Sequence, residues 1–372
     1  MLYNVYAWGV NNLHQCSKEI VTHIKTPTQV TDKQCRVVAS GDNHNLLIDE
    51  NNALYGWGDN YTNQLGEYDE FVAKELVLID DEREWVNISA STYHSAGIDT
   101  SNNLYIWGDN ARNRIIDDSY KQVVKTPTLV AENVQYVECN GSFTVYIDND
   151  NNLYFLGRLT FPQFGLRDES YQQTRDGRTG PKNIYLRKTP YLLMSSVKNV
   201  FTMSNCILAQ DFNDEIFIMG HHPQVSEQYK DNGVNQRFTI NHDVFREIPS
   251  VINFLPNKTI KKMYSNGIHI LMLTDDNEVY GFGNNFHKQL LGQSIVNNIF
   301  SYITDNIDDI SAGYLHSLFL TTDSRIYGCG SNTDKQLLDE NKHMIKELTE
   351  ISDDEFSYIY SGAYHNLALK GM

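Results

Sequence analysis

One short pattern, a strand that ends in a large apolar residue followed by glycine, recurs along the sequence and limits the fold more than any other feature. It reads VYAWG at residues 5–9, LYGWG at 54–58, LYIWG at 104–108, LYFLG at 153–157, IFIMG at 216–220, VYGFG at 279–283 and IYGCG at 326–330. Successive glycines lie 49, 50, 49, 63, 63 and 47 residues apart, so the ground period is close to 50 and two repeats carry insertions. Two further markers hold the register. Thirteen residues before each Trp-like position stand His44, His94, Phe143, Cys206, His269 and His316; six residues after each glycine stand Gln15, Gln64, Arg114, Gln163, Ser226, Gln289 and Gln336.

The clearest copy, residues 44–66, reads as a β-hairpin. Residues 44–49 and 54–57 form its strands, and Asp49, Asn51 and Asn52 supply the side chains that tolerate a left-handed turn. Gly58 then allows the conformation or close approach that ends the second strand. Runs such as Leu46-Leu47-Ile48 and Leu318-Phe319-Leu320 are continuously apolar, as expected for strands covered on both faces. The remaining strands of each unit fall on segments such as 26–30 and 35–39. Pro27, Pro127, Pro190 and Pro249 mark edge strands, where a missing N–H costs least.

At 372 residues the chain is long for one core unless it is a repeat that grows without thickening. A period near 50 with four short strands per unit predicts an all-β propeller of four-stranded antiparallel blades. A seventh histidine, His365, has no Trp-Gly strand after it, and the first such strand has no His strand before it. Counting from His365 through Met372 and on from Met1 gives 15 residues to Trp8, close to the usual 13. The expectation is therefore a seven-bladed ring, one domain over residues 1–372, closed by pairing N- and C-terminal strands in one blade. Such closure removes the exposed edges of an open ring.

These residues resemble the regulator of chromosome condensation family of seven-bladed β-propellers. The likeness runs over nearly the whole chain. It is strong at Gly41, His44, Trp57, Gly58, Asn60, Gln64, Leu65 and Gly66, at Gly283, Asn284, Gln289, Leu290 and Gly292, and at Gly313, His316, Gly330, Asn332 and Gln336; it fades in the fourth and fifth repeats. The Trp-Asp pair of one other propeller class and the Gly-Gly doublets of the kelch class are absent.

Composition narrows the partners. With 47 acidic against 30 basic residues the formal net charge is −17, which disfavours a phosphate backbone or an anionic membrane. No segment reaches the roughly 18 apolar residues of a membrane helix. The opening MLYNVYAWGV shows no basic segment leading into an apolar one, so no signal peptide is expected and the protein is placed in the cytoplasm or nucleocytoplasm. Cys16, Cys35, Cys139, Cys206 and Cys329 are an odd set without a CxxC pair, three of them in predicted strands; they read as free thiols. Asn87-Ile88-Ser89 and Asn140-Gly141-Ser142 are then chance matches to a glycosylation pattern.

No nucleotide-cradling loop, nucleophile elbow or zinc-binding helix motif is present, so no substrate-bond chemistry, metal or cofactor is expected. His44, His94, His269, His316 and His365, with Trp8, Trp57 and Trp107, are read as structural repeat positions. A residue recurring once per blade is expected to hold backbone, and Phe143 and Cys206 show that the slot accepts packing residues. His221, His222 and His242 are read as exposed loop histidines. The candidate partner site is the insertion at 166–188, where Arg167, Arg175, Arg178, Lys182, Arg187 and Lys188 outnumber Asp168, Glu169 and Asp176. A second polar insertion, about 224–246, leaves the next repeat on the same side.

The resemblance implies a protein-binding propeller, and two versions stay open. One is guanine-nucleotide exchange on a Ran-like small GTPase, although residues 166–188 align with no exchange wedge. The other is a scaffold subunit without exchange activity, as in tRNA-modification or diphthamide-synthesis partner complexes. The family's founding member also binds chromatin through a basic N-terminal tail. With none visible before Val5 and so acidic a chain, direct nucleic-acid binding is not expected; a monomer is.

Overall fold

The structure, a computed structural model, describes residues 1–111, 115, 122–141, 143–159, 185–203, 206–220, 258–266, 268–292 and 296–371. Its regular structure is all β. The chain opens with β1 (Tyr3–Val10) and β2 (His23–Gln29), followed by β3 (Cys35–Ser40), β4 (His44–Asp49), β5 (Leu54–Asp59) and β6 (Val72–Asp80). The next unit is β7 (Trp85–Ala90), β8 (His94–Asp99), β9 (Leu104–Asp109) and β10 (Val123–Ala131). Then come β11 (Val134–Asn140), β12 (Phe143–Asp148), β13 (Leu153–Leu159) and β14 (Tyr185–Met194), and β15 (Val197–Met203), β16 (Cys206–Asp211) and β17 (Ile216–Gly220). The last are β18 (Ile260–Tyr264), β19 (His269–Thr274), β20 (Val279–Asn284) and β21 (Val296–Thr304); β22 (Ile307–Ala312), β23 (His316–Thr321), β24 (Ile326–Ser331) and β25 (Met344–Ser352); and β26 (Tyr358–Ser361) and β27 (His365–Gly371).

Four sheets have four strands each, β7 to β10, β11 to β14, β18 to β21 and β22 to β25; β15 to β17 form a three-stranded sheet among the described residues. An eight-stranded sheet holds the rest. Only the bridge between Tyr3 and Cys35 joins its halves, β26-β27-β1-β2 and β3-β4-β5-β6. In all of them neighbouring strands are antiparallel. Pairing is interrupted at Pro27, Pro127 and Pro190, all on outermost strands, where the register shifts.

The repeat markers share one register. His44 faces Gly58, His94 faces Gly108, Phe143 faces Gly157, Cys206 faces Gly220, His269 faces Gly283 and His316 faces Gly330. His365 faces Gly9 in the same way, across the pairing of β27 with β1 that joins the two ends of the chain. The other six pairs are spanned by a turn of fixed length. Here β27 and β1 pair without a turn of that length between them.

Each hairpin turn uses one left-handed residue at the same place: Asn52, Asn102, Asn151, Asp214, Asn277 and Ser324 have φ of 65°, 62°, 63°, 63°, 61° and 68°. The carboxylate of Asp49 accepts from the backbone N–H groups of Asn51 at 2.9 Å and Ala53 at 3.0 Å, so one side chain holds the turn that follows it. Gly58 has φ of 98°, and a Cβ there would stand 2.5 Å from the carbonyl oxygen of Asn43. Any side chain would push the two backbones apart.

The apolar core lies between sheets, as the continuous apolar runs require. Leu46, Ile48 and Leu54 pack with Trp85, Ile88 and Trp107 of the next sheet, and Leu318, Leu320 and Ile326 pack with Val5, Trp8 and Leu367. Trp8, Trp57 and Trp107 are at most 1% exposed. Cys35, Cys139, Cys206 and Cys329 stand in strands, four where three were expected. Cys16, Cys35, Cys139 and Cys329 are buried free thiols, and burial pushes the Cys35 thiol up to about 12.

Candidate functional site

The histidines tie one sheet to the next. Nε2 of His44 meets Oγ of Ser95 at 2.9 Å, His94 meets Thr144 at 2.8 Å, and His269 meets Ser317 at 2.9 Å. His316 meets Oδ1 of Asn366 at 2.7 Å, and His365 meets Oδ1 of Asn45 at 2.9 Å. In every case the partner is the residue that follows the next repeat's His position. The partners then donate to the third marker: Ser95 Oγ to the carbonyl of Gln64 at 2.8 Å, Ser317 to Gln289 at 2.7 Å, and the Nδ2 groups of Asn45 and Asn366 to Gln15 at 2.9 Å and Gln336 at 2.8 Å. The indole N–H groups of Trp57, Trp107 and Trp8 donate to the carbonyls of Gln15, Gln64 and Gln336 respectively, each at 2.9 Å.

This network assigns the tautomer. A serine hydroxyl has one proton, and Ser95 gives it to Gln64, so it accepts from His44, whose proton sits on Nε2. Nδ1 is left with a lone pair and no partner in His44, His269, His316 and His365. Burial lowers the pKa of His44, His269 and His365 to about 3 and that of His316 to about 4. These rings are fully buried, neutral and committed to the seams between sheets. They cannot reach a substrate.

At Phe143 the tie is gone, and so is its partner. The position that would hold Ser or Thr is Ile207; both side chains are fully buried in one apolar cluster. The signal for this pairing is in the sequence, because the residue after each marker is polar when the preceding repeat has His and apolar when it does not.

The first strands of the sheets enclose a cavity of about 310 Å³, lined by β3, β7, β11, β15, β18 and β26. Glu138 accepts from Thr202 Oγ1 at 2.7 Å and from its backbone N–H at 3.0 Å, and from the Tyr136 hydroxyl at 3.3 Å. Desolvation raises the carboxyl pKa of Glu138 and of Asp42, the latter against the Thr92 hydroxyl that donates to it at 2.7 Å. Tyr136 is 37% exposed to the cavity, yet protein surrounds its hydroxyl and, with the Glu138 charge, drives its pKa well up. Lys262 is paired with Asp309 at 2.5 Å. The cavity is polar and walled by tyrosine, and its two threonine hydroxyls are held by the carboxylates of Glu138 and Asp42.

What remains is the end of the sheets that carries the loops before each His and after each Gly. These loops are fixed by buried asparagines. Asn60 Oδ1 accepts from the N–H of Leu65 at 2.9 Å, and its Nδ2 donates to the carbonyls of Tyr68 and Glu70, both at 3.1 Å. Asn11 and Asn332 serve their own loops in the same way. Thr62 donates to the carbonyl of Tyr93 at 3.0 Å, and the N–H of Tyr314 to that of Ala363 at 3.0 Å, so loops of neighbouring sheets form one surface. Both insertions leave from this end. Arg167, Arg175, Arg178 and Lys182 lie outside the described residues, as do His221, His222, His242, the 224–246 insertion, Arg114, Gln163 and Ser226. Arg187 and Lys188 have their backbone in β14, with Arg187 opposite Gly157, so strand begins at Tyr185 and the connection is shorter than 166–188. Among the described residues no group of His, Cys, Asp and Glu could hold a metal, and no helix is long and apolar enough to cross a membrane.

The profile of the regulator of chromosome condensation (RCC1) repeat matches residues 36–64, 85–114 and 307–336. The chain carries RCC1 repeats. Among solved structures it is similar to Prp20p from Saccharomyces cerevisiae, described with its binding to Gsp1p and histones, at 15% identity and TM-score 0.76, covering 99% of this chain and 91% of that one. Yeast RCC1 (Prp20) bound to Kap60 gives 15% identity and TM-score 0.78, covering 99% and 88%. Human WBSCR16 gives 16% identity and TM-score 0.78, covering 99% and 98%. At these identities the likeness speaks for the fold. None of the curated protein sequences matches.

Proposed function

We propose that this RCC1-repeat chain is a non-catalytic, protein-binding propeller, a single domain over residues 1–372 that works in the cytoplasm or nucleocytoplasm. The observation that carries this reading is where the repeat side chains go. His, Trp, Gln and Asn markers are consumed in seams and loop anchors, which leaves a rigid loop-bearing end as the surface free to meet a partner. A closed ring of seven blades is part of the proposal. It is supported by the β1–β27 pairing, by the single bridge that divides the eight-stranded sheet, and by β26 lying against both β22 and β3.

The sharper version is guanine-nucleotide exchange on a Ran-like GTPase, as some members of the family perform. Support comes from the likeness to Prp20p, which binds Gsp1p, and from two adjacent insertions on the loop end. An exchange factor of this kind makes and breaks no covalent bond; it speeds nucleotide release by binding the empty GTPase better than the loaded one. The second reading, a scaffold without exchange activity, is favoured by residues 166–188 matching no exchange wedge. Release of labelled GDP from a Ran-like GTPase with micromolar propeller separates them. Acceleration supports exchange; unchanged release from a GTPase that still binds leaves the scaffold. Charge reversal at Arg175, Arg178 and Arg187 is expected to weaken partner binding without lowering the melting temperature, and equal affinity would move the site off that insertion.

A further inference from the structure

The loop from Asp59 to Phe71 exposes what a stable fold would hide. Tyr61 is 63% and Phe71 65% exposed, and their rings stack with centroids 5.1 Å apart and planes 11° from parallel. The pair is held from below by the Asn60 bonds to Leu65, Tyr68 and Glu70, and it borders Tyr93, 42% exposed, through Thr62. It is therefore an aromatic platform already in place before any partner arrives. Within the loop the charge has one sign. Residues 59–71 contain Asp59, Glu67, Asp69 and Glu70 and no Lys or Arg, and among the described residues no ion pair involves Glu67, Asp69 or Glu70.

We propose that this platform docks an arginine-bearing segment of a partner protein, the guanidinium lying on the Tyr61–Phe71 pair with its N–H groups turned to Glu67, Asp69 or Glu70. The proposal rests on the protein-binding reading and names the chemistry of one contact. A guanidinium is planar, weakly hydrated and forked, so it stacks on a ring and meets a carboxylate through two bonds at once; an ammonium does neither as well. An acidic segment would be repelled. A purely apolar one would leave three carboxylates beside an apolar contact.

The test is fluorescence anisotropy with fluorescein-labelled twelve-residue peptides of alternating glycine with arginine, lysine, glutamate or leucine. The expected result is saturable binding of the arginine peptide, several-fold weaker binding of the lysine peptide, and none of the other two. Tyr61→Ser with Phe71→Ser is expected to weaken the arginine peptide about tenfold. Glu67→Lys with Glu70→Lys should weaken it at least as much. Phe212→Ser, at an exposed turn on the opposite end, should change nothing. Because the substituted side chains are exposed, melting temperatures should stay the same, which separates lost binding from lost fold. Wild-type affinity in the double serine variant, equal affinity for arginine and lysine, or preference for the leucine peptide would each overturn the platform. The unsubstituted protein assayed for binding to a Ran-like GTPase keeps the two readings apart. GTPase binding by a protein that does not take up the arginine peptide sinks the platform alone; saturable peptide binding without GTPase binding sinks the GTPase reading and leaves the platform standing.

Discussion

Two kinds of seam join the sheets of this protein. In one, a buried histidine bonds a Ser, Thr or Asn of the next sheet, and the Ser and Asn partners bond a glutamine carbonyl; in the other, Phe143 meets Ile207, and Cys206 and Ile270 occupy the matching positions. Neither mixture occurs. A lone polar member would be stranded in an apolar seam at a cost of about 1–3 kcal/mol, whereas two polar members satisfy each other across the seam and two apolar ones have nothing to satisfy there. The apolar seams also flank the sheets that carry the two long insertions. A purely packed seam depends only on shape, so it tolerates small shifts that a hydrogen-bonded chain does not.

The largest expected difference between the two kinds is acid sensitivity. The folded pKa values of about 3 for His44, His269 and His365 and about 4 for His316 lie below the ordinary 6.5. The unfolded chain therefore binds protons first as pH falls. Stability is full above about pH 6.5, is lost as pH drops toward 4, and levels off near 3; each histidine contributes up to about 1.4 kcal/mol per pH unit, and the four together reach on the order of 5 kcal/mol per unit. Asp42 and Glu138, with raised pKa values, oppose part of this. Urea denaturation at pH 7 and pH 5 measures the loss. Hydrogen exchange, corrected for intrinsic rate, should show protection falling further in β4, β19, β23 and β27 than in β12; a uniform fall would mean that the ties do not matter.

Next comes the seam between the half-sheet that holds β1 and β27 and the half-sheet of β3 to β6. Asn45→Leu removes the nearer acceptor of His365 and one donor to Gln15, and leaves the buried imidazole N–H only the Ser40 hydroxyl at 3.1 Å. The expected cost is about 3 kcal/mol. Adding His365→Phe, which turns this seam into the Phe143 kind, should recover at least about 1 kcal/mol in a double-mutant cycle. Additive costs would show that the two residues act separately.

The contrast also shows what could be read from the sequence. Trp57, Gly58 and His44 were legible because each is demanded by its own strand, at a fixed spacing from a turn that Asp49 and Asn52 close locally. The pairing of His44 with Ser95 was not, since the two are fifty residues apart and the signal is a correlation between repeats, visible only when marker and successor are compared. The polar cavity was hidden for another reason. Tyr136, Glu138, Lys262 and Tyr264 sit on first strands, which carry no recurring marker because each wall of a cavity faces different neighbours. The stacked Tyr61–Phe71 pair needed coordinates, because ten residues separate the rings and only the Asn60 anchor brings them together.

The converse transplant has a smaller expected effect. Phe143→His alone puts an imidazole against Ile207 without a partner and should cost about 2 kcal/mol. Pairing it with Ile207→Ser should return about half of that, read from the same urea midpoints. If the single variant were as stable as the wild type, the seam would have room to satisfy the ring some other way, and the rule of joint substitution would fail.

The smallest effect distinguishes the tied seams among themselves. His94 is the one described tie whose Nδ1 has a side-chain partner, the hydroxyl of Ser91 at 2.9 Å; Gly41, Gly313 and Gly362 stand at the equivalent positions of His44, His316 and His365, and Asn266 at that of His269. Ser91→Gly should make this seam like the three with glycine. The lost bond and the added backbone freedom predict a cost of about 1 kcal/mol. The opposite change is not available at Gly41, where a Cβ would collide with the carbonyl of Ser91 and stand 2.9 Å from His44 Nδ1. Gly41→Ser should therefore cost more than Ser91→Gly, although it offers the orphaned nitrogen a donor. Equal or reversed costs in urea denaturation would show that the missing partner at Nδ1, and not the crowding beside glycine, limits these seams.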